Sequence, residues 1–340
     1  MDKIINQELV VVMPVYNAAA FLQASISSIL TQTYQNFLFN IIDDGSTDES
    51  ATIINGFKDN RIQYFRHTHN QGIVHTLNNA FKSISTKYIV RMDADDITLP
   101  NRLQQQVDFM NNNPEISIAG SWFKSMDESV HYRPPTSHDE IAIALLDYSP
   151  IGHPTVIIRK SDWDKASLNY SNLYPHAEDF ACWTKAVLNQ CRLANIPEFL
   201  LEYRKHDLQV SIKFQTVQEK SVQNIRKNYI KGLFPKFDSN DLGLIFDFFS
   251  NKILSISQYK AVKKLVDNDG FQNDILNGEL LKEVFRNKIS LATINMYVLV
   301  SDPSFEMVGL CILDKYFYKK LSFMQRLKFP IKLIKKLTFG

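Results

Sequence analysis

The stretch Tyr88-Ile89-Val90-Arg91-Met92-Asp93-Ala94-Asp95-Asp96 joins a short apolar run directly to three carboxylates. The apolar part is typical of a buried β-strand. Carboxylates this close together repel one another unless a positive charge lies between them. Mg²⁺ and Mn²⁺ prefer such oxygen ligands, so the stretch is consistent with a divalent cation that bridges a diphosphate. It is equally consistent with a polar turn leading into a helix, because Asp is generally favoured at helix starts.

Three further strands are predicted before this one along the chain, in the uninterrupted apolar run at residues 9–13 and at residues 39–42 and 62–65. Helical periodicity separates the runs, which predicts a parallel sheet with right-handed crossover connections. Ligands bind at the carboxyl ends of the strands in such a sheet. We therefore expect the polar segments that follow the four strands to meet in one cleft; these segments are 16–17, 43–44, 70–72 and 93–96.

Beyond the fourth strand the pattern is more varied. It predicts helices at 103–110, 137–146 and 180–188, a strand at 156–158 and an edge strand at 199–203. From about residue 215 onward the sequence is typical of helices rich in Phe, Lys and Asn. The predicted fold class is α/β, with a mainly parallel sheet flanked by helices in residues 1–215 and a helical region in residues 216–340.

The composition is that of an ordinary soluble globular protein, since 45% of the 340 residues are hydrophobic and 22% are charged. The cysteines (Cys182, Cys191 and Cys311) are odd in number and lack metal-ligand spacing, so we expect reduced thiols. The start of the chain lacks the layout of a signal peptide, and no run of about 18 uncharged apolar residues occurs. We therefore expect a cytoplasmic protein without a transmembrane helix.

Positive charge is concentrated in residues 314–340, which hold eight basic residues and one acidic residue. Apolar side chains such as Phe323, Leu327 and Ile331 are interspersed with these cations, as in an amphipathic helix that lies on anionic lipid. A basic helix packed on the protein with a solvated face has the same composition. Of these two interpretations we favour association with a membrane surface. Nucleic-acid binding is not expected, because the cations form no known recognition module.

Two residues that follow the first two strands are suited to binding a planar base. Asp44 can accept hydrogen bonds from an N–H-bearing ring such as uracil, and Gly45 beside it lets backbone approach a ligand closely. A normal helix-capping loop explains the same motif. Tyr16 can stack on a base, or it can simply pack in the wall of the cleft.

A second acidic centre, Glu178-Asp179, lies far along the chain at a predicted helix start. One of these carboxylates can act as a general base that deprotonates an attacking hydroxyl, or the pair can simply complement the helix dipole. His153 and His206 are flanked by polar or turn residues. Either histidine can contact phosphate or metal, or fill an ordinary structural role.

Seven segments of the chain occur in the order found in one enzyme family: Met13-Pro14-Val15-Tyr16-Asn17, Ile42-Asp43-Asp44-Gly45-Ser46-Thr47-Asp48, Asn70-Gln71-Gly72, Asp93-Ala94-Asp95-Asp96, Gly152-His153-Pro154-Thr155, Ala177-Glu178-Asp179-Phe180 and Arg204-Lys205-His206. With them the chain resembles the family 2 inverting glycosyltransferases of the GT-A (nucleotide-diphospho-sugar transferase) fold. The resemblance covers about residues 8–211, and the core motifs show no departure from the family pattern.

The resemblance implies roles for individual residues. The pocket for a UDP-sugar would be lined by Pro14, Tyr16, Asn17, Asp44, Asn70, Gly72, Asp93 and Ala94. Within it, Asp44 would contact the base and Asp93 would lie near the ribose. Asp95 would be the principal ligand of Mn²⁺ or Mg²⁺, with His206 as a further metal or diphosphate contact, and Asp179 would be the catalytic base.

The resemblance also implies a reaction and a pathway. An acceptor hydroxyl would displace the nucleotide in one step, so an α-linked donor would give a β-linked product. Related bacterial enzymes build O-antigen or capsule repeats on lipid-linked saccharides, and such a lipid, for example undecaprenyl diphosphate, would place the enzyme at the inner face of the cell membrane. The resemblance assigns the catalytic role to residues 1–215.

Two other classes of protein remain to be compared with this hypothesis. Phosphatases of the haloacid dehalogenase kind also carry Asp-x-Asp at a strand end, but at their first strand, which here ends in Pro14-Val15-Tyr16-Asn17. A sugar-nucleotide-binding protein without transferase activity needs no base, so the presence of Asp179 argues against it.

Overall fold

The computed structural model of the protein describes residues 7–205, 214–250, 256–267 and 275–285. The chain forms two compact units, of which the first extends to Tyr229 and the second begins at Ile230. None of the helices in the described ranges is both long enough and apolar enough to cross a lipid bilayer. His206 and the basic segment 314–340 lie outside the described residues. The division of roles between residues 1–215 and 216–340 stays a prediction.

The strands that the structure describes are β1 Leu9–Val15, β2 Phe37–Asp43, β3 Ile62–Arg66, β4 Tyr88–Arg91, β5 Ile97–Thr98, β6 Ile116–Ser125, β7 His131–Tyr132, β8 Ile157–Arg159 and β9 Arg192–Tyr203. The helices are α1 Ala19–Leu30, α2 Ser50–Gly56, α3 Ile73–Ser83, α4 Arg102–Asn112, α5 His138–Ala144, α6 Lys160–Lys165, α7 Glu178–Leu188, α8 Gln215–Leu233, α9 Ser239–Phe249, α10 Ile256–Asp267 and α11 at 278–285. A short 3₁₀ turn occupies His153–Thr155.

These nine strands join one mixed sheet. Eight of them follow the order β3-β2-β1-β4-β8-β6-β9-β5, and β7 pairs with β6 outside this order. Strands β1 to β4 are parallel, which confirms the parallel sheet predicted for the first four apolar runs. Strand β8 is antiparallel to both β4 and β6, while β9 is parallel to β6 and antiparallel to β5. The predicted α/β fold class is confirmed.

The strand predicted at the sheet edge near residue 200 was assigned wrongly, because β9 is paired on both sides. It extends over 12 residues between β6 and β5. Strand β5 consists of Ile97–Thr98 alone, and two residues are too few to show a periodic pattern in the sequence. Its pairing of Ile97 with Glu202 brings the end of the acidic stretch beside the end of β9.

Strand β1 lies at the centre of the parallel half and is buried on both faces. Leu9, Val11 and Met13 belong to the hydrophobic core together with Leu22 and Ile26 of α1. Full burial of each such side chain contributes roughly 1.5–3 kcal/mol of hydrophobic free energy. The strand is therefore firmly placed, and the loops that leave its end and those of its neighbours start from fixed points.

The loop after β2 turns sharply at Gly45, whose φ is +74°. A Cβ atom at this position would lie 2.5 Å from the carbonyl carbon of His69. Because Gly45 has no side chain, the segment 67–72 that follows β3 can pack directly on the loop after β2. Two of the polar segments predicted to share a cleft are thus brought into contact by backbone packing.

Replacing Gly45 by alanine should lower the free energy of unfolding of the first unit by more than about 1 kcal/mol, because positive φ and backbone overlap both oppose a side chain there. Urea unfolding followed by tryptophan fluorescence measures this, since Trp122, Trp163 and Trp183 all lie in the first unit. Gly56→Ala is the control: it lies in α2 with open space around it, so the protein should keep or slightly gain stability. Equal unfolding midpoints for the two variants would contradict the prediction.

Candidate active site

Hydrogen bonds join the loops that follow β1 and β2. The N–H of Asn17 donates to Ser46 Oγ (3.0 Å), and the N–H of Thr47 donates to Asn17 Oδ1 (2.9 Å). Asn17 has a φ of 51°, in the left-handed region that Asn tolerates better than most residues. The structure therefore brings segments 16–17 and 43–44 together, and Tyr16 is 50% exposed at their surface.

Asp44 is buried, and both of its carboxylate oxygens contact the protein. Oδ1 lies 2.7 Å from His67 Nδ1 and accepts from the N–H of Gln71 (2.9 Å), while Oδ2 accepts from the N–H of Gly72 (2.8 Å). Burial raises the pKa of this carboxyl, but the hydrogen bonds outweigh burial and bring the pKa below its ordinary value. As a carboxylate, Asp44 holds segment 70–72 against the end of β2. Its contact with a base stays a prediction.

The other residues predicted to line a nucleotide pocket lie on or next to the same loops. Pro14 is in β1, paired with Ile42 of β2. Asn70 is exposed in the segment that Asp44 holds, and Gly72 precedes α3 with a φ of +88°. Ala94 is buried between the acidic residues after β4. Hydrogen bonds thus join the segments after β1, β2 and β3, and the parallel pairing of β4 with β1 places segment 93–96 at the same edge of the sheet.

The three carboxylates after β4 lie close to one another. One oxygen from each of Asp93, Asp95 and Asp96 is within 4.8 Å of the other two. Asp96 is fully buried, and its Oδ1 accepts from the N–H of Arg204 (2.9 Å). Arg204 also donates from Nε to the carbonyl oxygen of Asp95 (2.8 Å). The chain end of β9 therefore holds the acidic segment in place.

This acidic cluster fits a hard divalent cation. Its donors are oxygen atoms only, and Asp96 Oδ2 is buried without a hydrogen-bond partner among the residues that the structure describes. Burial, followed by the negative charges of Asp93 and Asp95, raises the pKa of Asp96 well above its ordinary value. A cation at the cluster would relieve both the repulsion and the unmet hydrogen-bonding capacity.

Two buried arginines next to the cluster supply positive charge. Arg91, only 2% exposed, forms an ion pair of 2.5 Å with Asp93. Burial lowers the pKa of the Arg91 guanidinium, but Asp93, together with Tyr170 and Asp96, outweighs burial and raises this pKa above its ordinary value. Arg102 at the start of α4 donates from Nη2 to the carbonyl oxygen of Arg91 (2.8 Å), and burial lowers its pKa to about 9.

Neither Arg91 nor Arg102 was identified from the sequence as part of the site. The sequence does mark both residues as unusual, because Arg91 interrupts an otherwise apolar strand and Arg102 begins a helix with an apolar face. A fully buried arginine is nearly always paired with a carboxylate or a carbonyl group. An arginine inside a buried-strand pattern beside three aspartates is therefore a usable sign of an ion pair.

Glu178 and Asp179 occupy the first turn of α7. Asp179 Oδ1 accepts from the N–H of Phe180 (2.7 Å). Burial, and next the charge of Glu178, raises the pKa of Asp179 to about 7, while Arg91 opposes this rise. Burial likewise raises the pKa of Glu178, on which Arg91 and Asp93 also act electrostatically. The start of α7 is therefore within electrostatic reach of the acidic cluster, and a carboxyl with a pKa near neutrality is well suited to accepting a proton.

His153 lies among buried aromatic side chains. Its Nε2 is 3.0 Å from the Tyr170 hydroxyl, and its ring contacts Trp183 edge to face with the centroids 5.9 Å apart. Burial, with a smaller contribution from Arg91, lowers the pKa of His153 well below its ordinary value. A neutral histidine in such packing favours the structural role among those considered from the sequence.

Comparison with known protein sequences finds glycosyltransferases among the relatives of this chain. The model of "Glycosyl transferase family 2" matches residues 10–170. An uncharacterized glycosyltransferase of Haemophilus influenzae is 32% identical over 234 residues, which cover 65% of this chain and 72% of that protein. The Escherichia coli protein WfgD, named UDP-Glc:alpha-D-GlcNAc-diphosphoundecaprenol beta-1,3-glucosyltransferase, is 31% identical over 174 residues, which cover 51% of this chain and 67% of WfgD.

Solved structures show the same architecture. S. aureus TarS 1-349 in complex with UDP-GlcNAc has a TM-score of 0.58 at 15% identity, covering 98% of this chain and 93% of that chain. Glucosyl-3-phosphoglycerate synthase from Mycobacterium tuberculosis in complex with Mn²⁺, UDP and phosphoglyceric acid has a TM-score of 0.50 at 14% identity, covering 66% and 78%. These similarities confirm the predicted GT-A fold. The family model and the related sequences show that the chain belongs to glycosyl transferase family 2.

Proposed function

We propose that the protein transfers a hexose or N-acetylhexosamine from a UDP-sugar to a hydroxyl group of a saccharide acceptor and inverts the anomeric carbon. The observation that carries this proposal is the position of Asp179 next to Glu178 at the start of α7, where both carboxyl groups interact electrostatically with Arg91, the ion-pair partner of Asp93 in the acidic cluster. A base and a diphosphate-binding cluster in one cleft are what a single displacement at a sugar nucleotide requires.

Asp179 takes the role of the base in this proposal. As a carboxylate it accepts the proton of the acceptor hydroxyl while that oxygen attacks the anomeric carbon and the nucleoside diphosphate departs. Attack opposite the leaving group turns an α-linked donor into a β-linked product. Arg91, which is held in place by its ion pair with Asp93, lowers the pKa of Asp179 and so limits the rise that burial causes.

Asp93, Asp95 and Asp96 would hold Mn²⁺ or Mg²⁺, with Asp95 as the principal ligand and His206 as a further contact. The cation would neutralise negative charge on the diphosphate. Support comes from the oxygen-only donor set and from the buried, unpartnered Asp96 Oδ2.

The nucleotide would lie along the loops at the ends of β1, β2 and β3, with the ribose near Asp93 and Ala94. Tyr16 would form a wall for the base because half of its side chain is exposed at these loops. Asp44 orders the backbone of Gln71 and Gly72 and would reach the base through a free lone pair of its carboxylate.

The identity of the substrates is proposed from the relatives. The name of WfgD specifies a UDP-glucose donor and a GlcNAc acceptor on diphosphoundecaprenol, and TarS has been solved with UDP-GlcNAc. We therefore propose a lipid-linked acceptor and a role in surface polysaccharide (O-antigen or capsule) biosynthesis. The enzyme would act at the cytoplasmic face of the membrane, and the basic segment 314–340 would bind anionic lipid.

Asp179→Asn should lower transfer by about 10²–10⁴-fold while UDP affinity changes by less than about twofold, because the amide cannot accept the proton. The wild-type rate should rise with pH and reach half its maximum near pH 7, since Asp179 works only after losing its proton. UDP release from UDP-glucose and from UDP-GlcNAc, with Mn²⁺ and a GlcNAc-diphospho-lipid acceptor, is the assay. Asp108→Asn, an exposed carboxyl on α4, is the control. Near-wild-type turnover by Asp179→Asn would refute the assignment of the base.

Asp95→Ala should abolish the enhancement of UDP binding by Mn²⁺, because it removes a charged oxygen from the cluster. Calorimetric titration of UDP with and without Mn²⁺ measures this effect. Asp108→Ala should retain the enhancement. If Asp95→Ala responds to Mn²⁺ as the wild type does, Asp95 is not the metal ligand.

Deleting residues 314–340 should shift the protein from the membrane fraction to the soluble fraction, because the segment has a net charge of +7 mixed with apolar residues. Sedimentation with vesicles containing anionic lipid, at low and high salt, provides the measurement. An unchanged distribution would favour a basic helix packed on the protein.

A further inference from the structure

The segment 171–177 leads directly into the Glu178-Asp179 pair and contains a strained backbone conformation. His176 has a φ of 63°, in the left-handed region, which is costly for a residue with a Cβ atom. Such conformations persist where the surrounding structure enforces them, and they are concentrated at functional sites. The contacts that hold His176 therefore also determine where the first turn of α7 begins.

Those contacts come from α8. Gln218 Nε2 donates to the carbonyl oxygen of His176 (2.7 Å), and Ser221 Oγ donates to the carbonyl oxygen of Pro175 (2.9 Å). Further along the helix, Asn228 Nδ2 donates to the hydroxyl group of Tyr174 (2.9 Å). Residues 174–176 are thus attached to α8 at three successive points.

An aromatic contact strengthens this attachment. The ring of His176 stacks on Phe214, which immediately precedes α8, with centroids 4.3 Å apart and planes 10° from parallel. Phe214, Gln218, Ser221 and Asn228 are spaced by four, three and seven residues, so they lie on one face of the helix. One helix face therefore holds the backbone and a side chain of the strained residue.

The relevant part of α8 is itself anchored within the first unit. Tyr229 is 1% exposed, and its hydroxyl donates to the carbonyl oxygen of Ala142 in α5 (2.8 Å). Arg226 Nη2 donates to the carbonyl oxygen of Asp147. At its other end, segment 171–177 follows Tyr170, whose N–H and carbonyl oxygen both bond to the side chain of Asn78 (2.9 Å each). The segment is consequently held at both ends.

A cavity lies between α7, α8 and segment 171–174, and the bonded pair Tyr174 and Asn228 lines part of it. It has a volume of about 300 Å³, and Ala181, Thr184 and Leu188 line it from α7. At 100° per residue these three side chains lie on the side of the helix roughly opposite to Asp179. The cavity is therefore separate from the face that carries the base.

We propose that α8, through Gln218, Ser221 and Phe214, is a positioning element that fixes segment 174–177 and thereby aims Asp179 at the acceptor hydroxyl. The helix lies outside residues 10–170, which the family model matches. The inference rests on the proposed function of Asp179. Gln218, Ser221 and Phe214 touch no reacting atom and act through the backbone of segment 174–177.

The test replaces Gln218 by methionine, which keeps the length of the side chain but removes the N–H donor. Gln223→Met is the matched control, because Gln223 is an exposed residue of the same helix. A misplaced base should lower kcat by about tenfold or more, while the KM for the donor and the affinity for UDP change by less than about twofold. Gln218→Lys, which restores an N–H donor, should recover most of the lost kcat. The assay uses UDP-glucose and UDP-GlcNAc with the GlcNAc-diphospho-lipid acceptor.

Hydrogen exchange of the backbone amides of residues 171–179 gives a readout that does not depend on activity. Exchange should be faster in Gln218→Met than in Gln223→Met, with the rest of the first unit unchanged. If Gln218→Met does not fold, Ser221→Ala tests the same contact by removing the bond to Pro175. Wild-type kcat and unchanged exchange in these variants would overturn the positioning role, as would a parallel loss of UDP affinity. Failure of the proposed function gives a different pattern: Asp179→Asn would keep its activity, whatever the exchange data show.

Discussion

The burial of like charges beside one another is the constraint on which this site depends. Asp96 is fully buried after β4, Asp93 beside it is half-buried, and Glu178 at the start of α7 lies within electrostatic reach of Asp93. In a low-dielectric interior such charges raise each other's free energy strongly. Arg91 offsets part of this repulsion, because it is buried and forms an ion pair with Asp93 at 2.5 Å. The remaining excess of negative charge suits a divalent cation. Burial, and next the charge of Glu178, raises the pKa of Asp179 to about 7.

The rest of the first unit brings these groups to one place and holds them there. Central strands with a continuous hydrophobic core give the loops fixed starting points, and side-chain hydrogen bonds then join loop to loop. Asn17 bonds to the loop after β2, and Asp44 bonds to the segment after β3. Arg204 at the end of β9 bonds to Asp96. A rigid scaffold that carries its functional groups on connected loops combines precise placement with room for substrates.

Much of this arrangement was predictable from the sequence. The rest was not predictable, and the physical reasons can be identified. The four parallel strands are mostly apolar and are separated by segments with helical periodicity, so local patterns were sufficient to find them. Strand β5 has two residues and no pattern of its own, and without it β9 was predicted to lie at the sheet edge. Arg91 was assigned to a strand rather than to the site, because its partnership with Asp93 depends on side-chain direction after the strand ends. The contacts of Gln218 and Ser221 with segment 174–176 join residues more than 40 positions apart, which no local pattern reveals.

The sequence by itself determined the α/β class, the parallel strands, the ordered motifs of the family and the two acidic centres, because each is encoded in residues that are neighbours along the chain. Only the tertiary structure decided which carboxyls are buried, which arginines compensate them, that Asp44 orders segment 70–72, and that α8 holds the entry to α7. These properties depend on solvent exclusion and on contacts between distant segments. The acidic stretch after β4 is the clearest case: its composition indicates affinity for a cation, whereas its electrostatics follow from the burial of Asp96 and the pairing of Asp93 with Arg91.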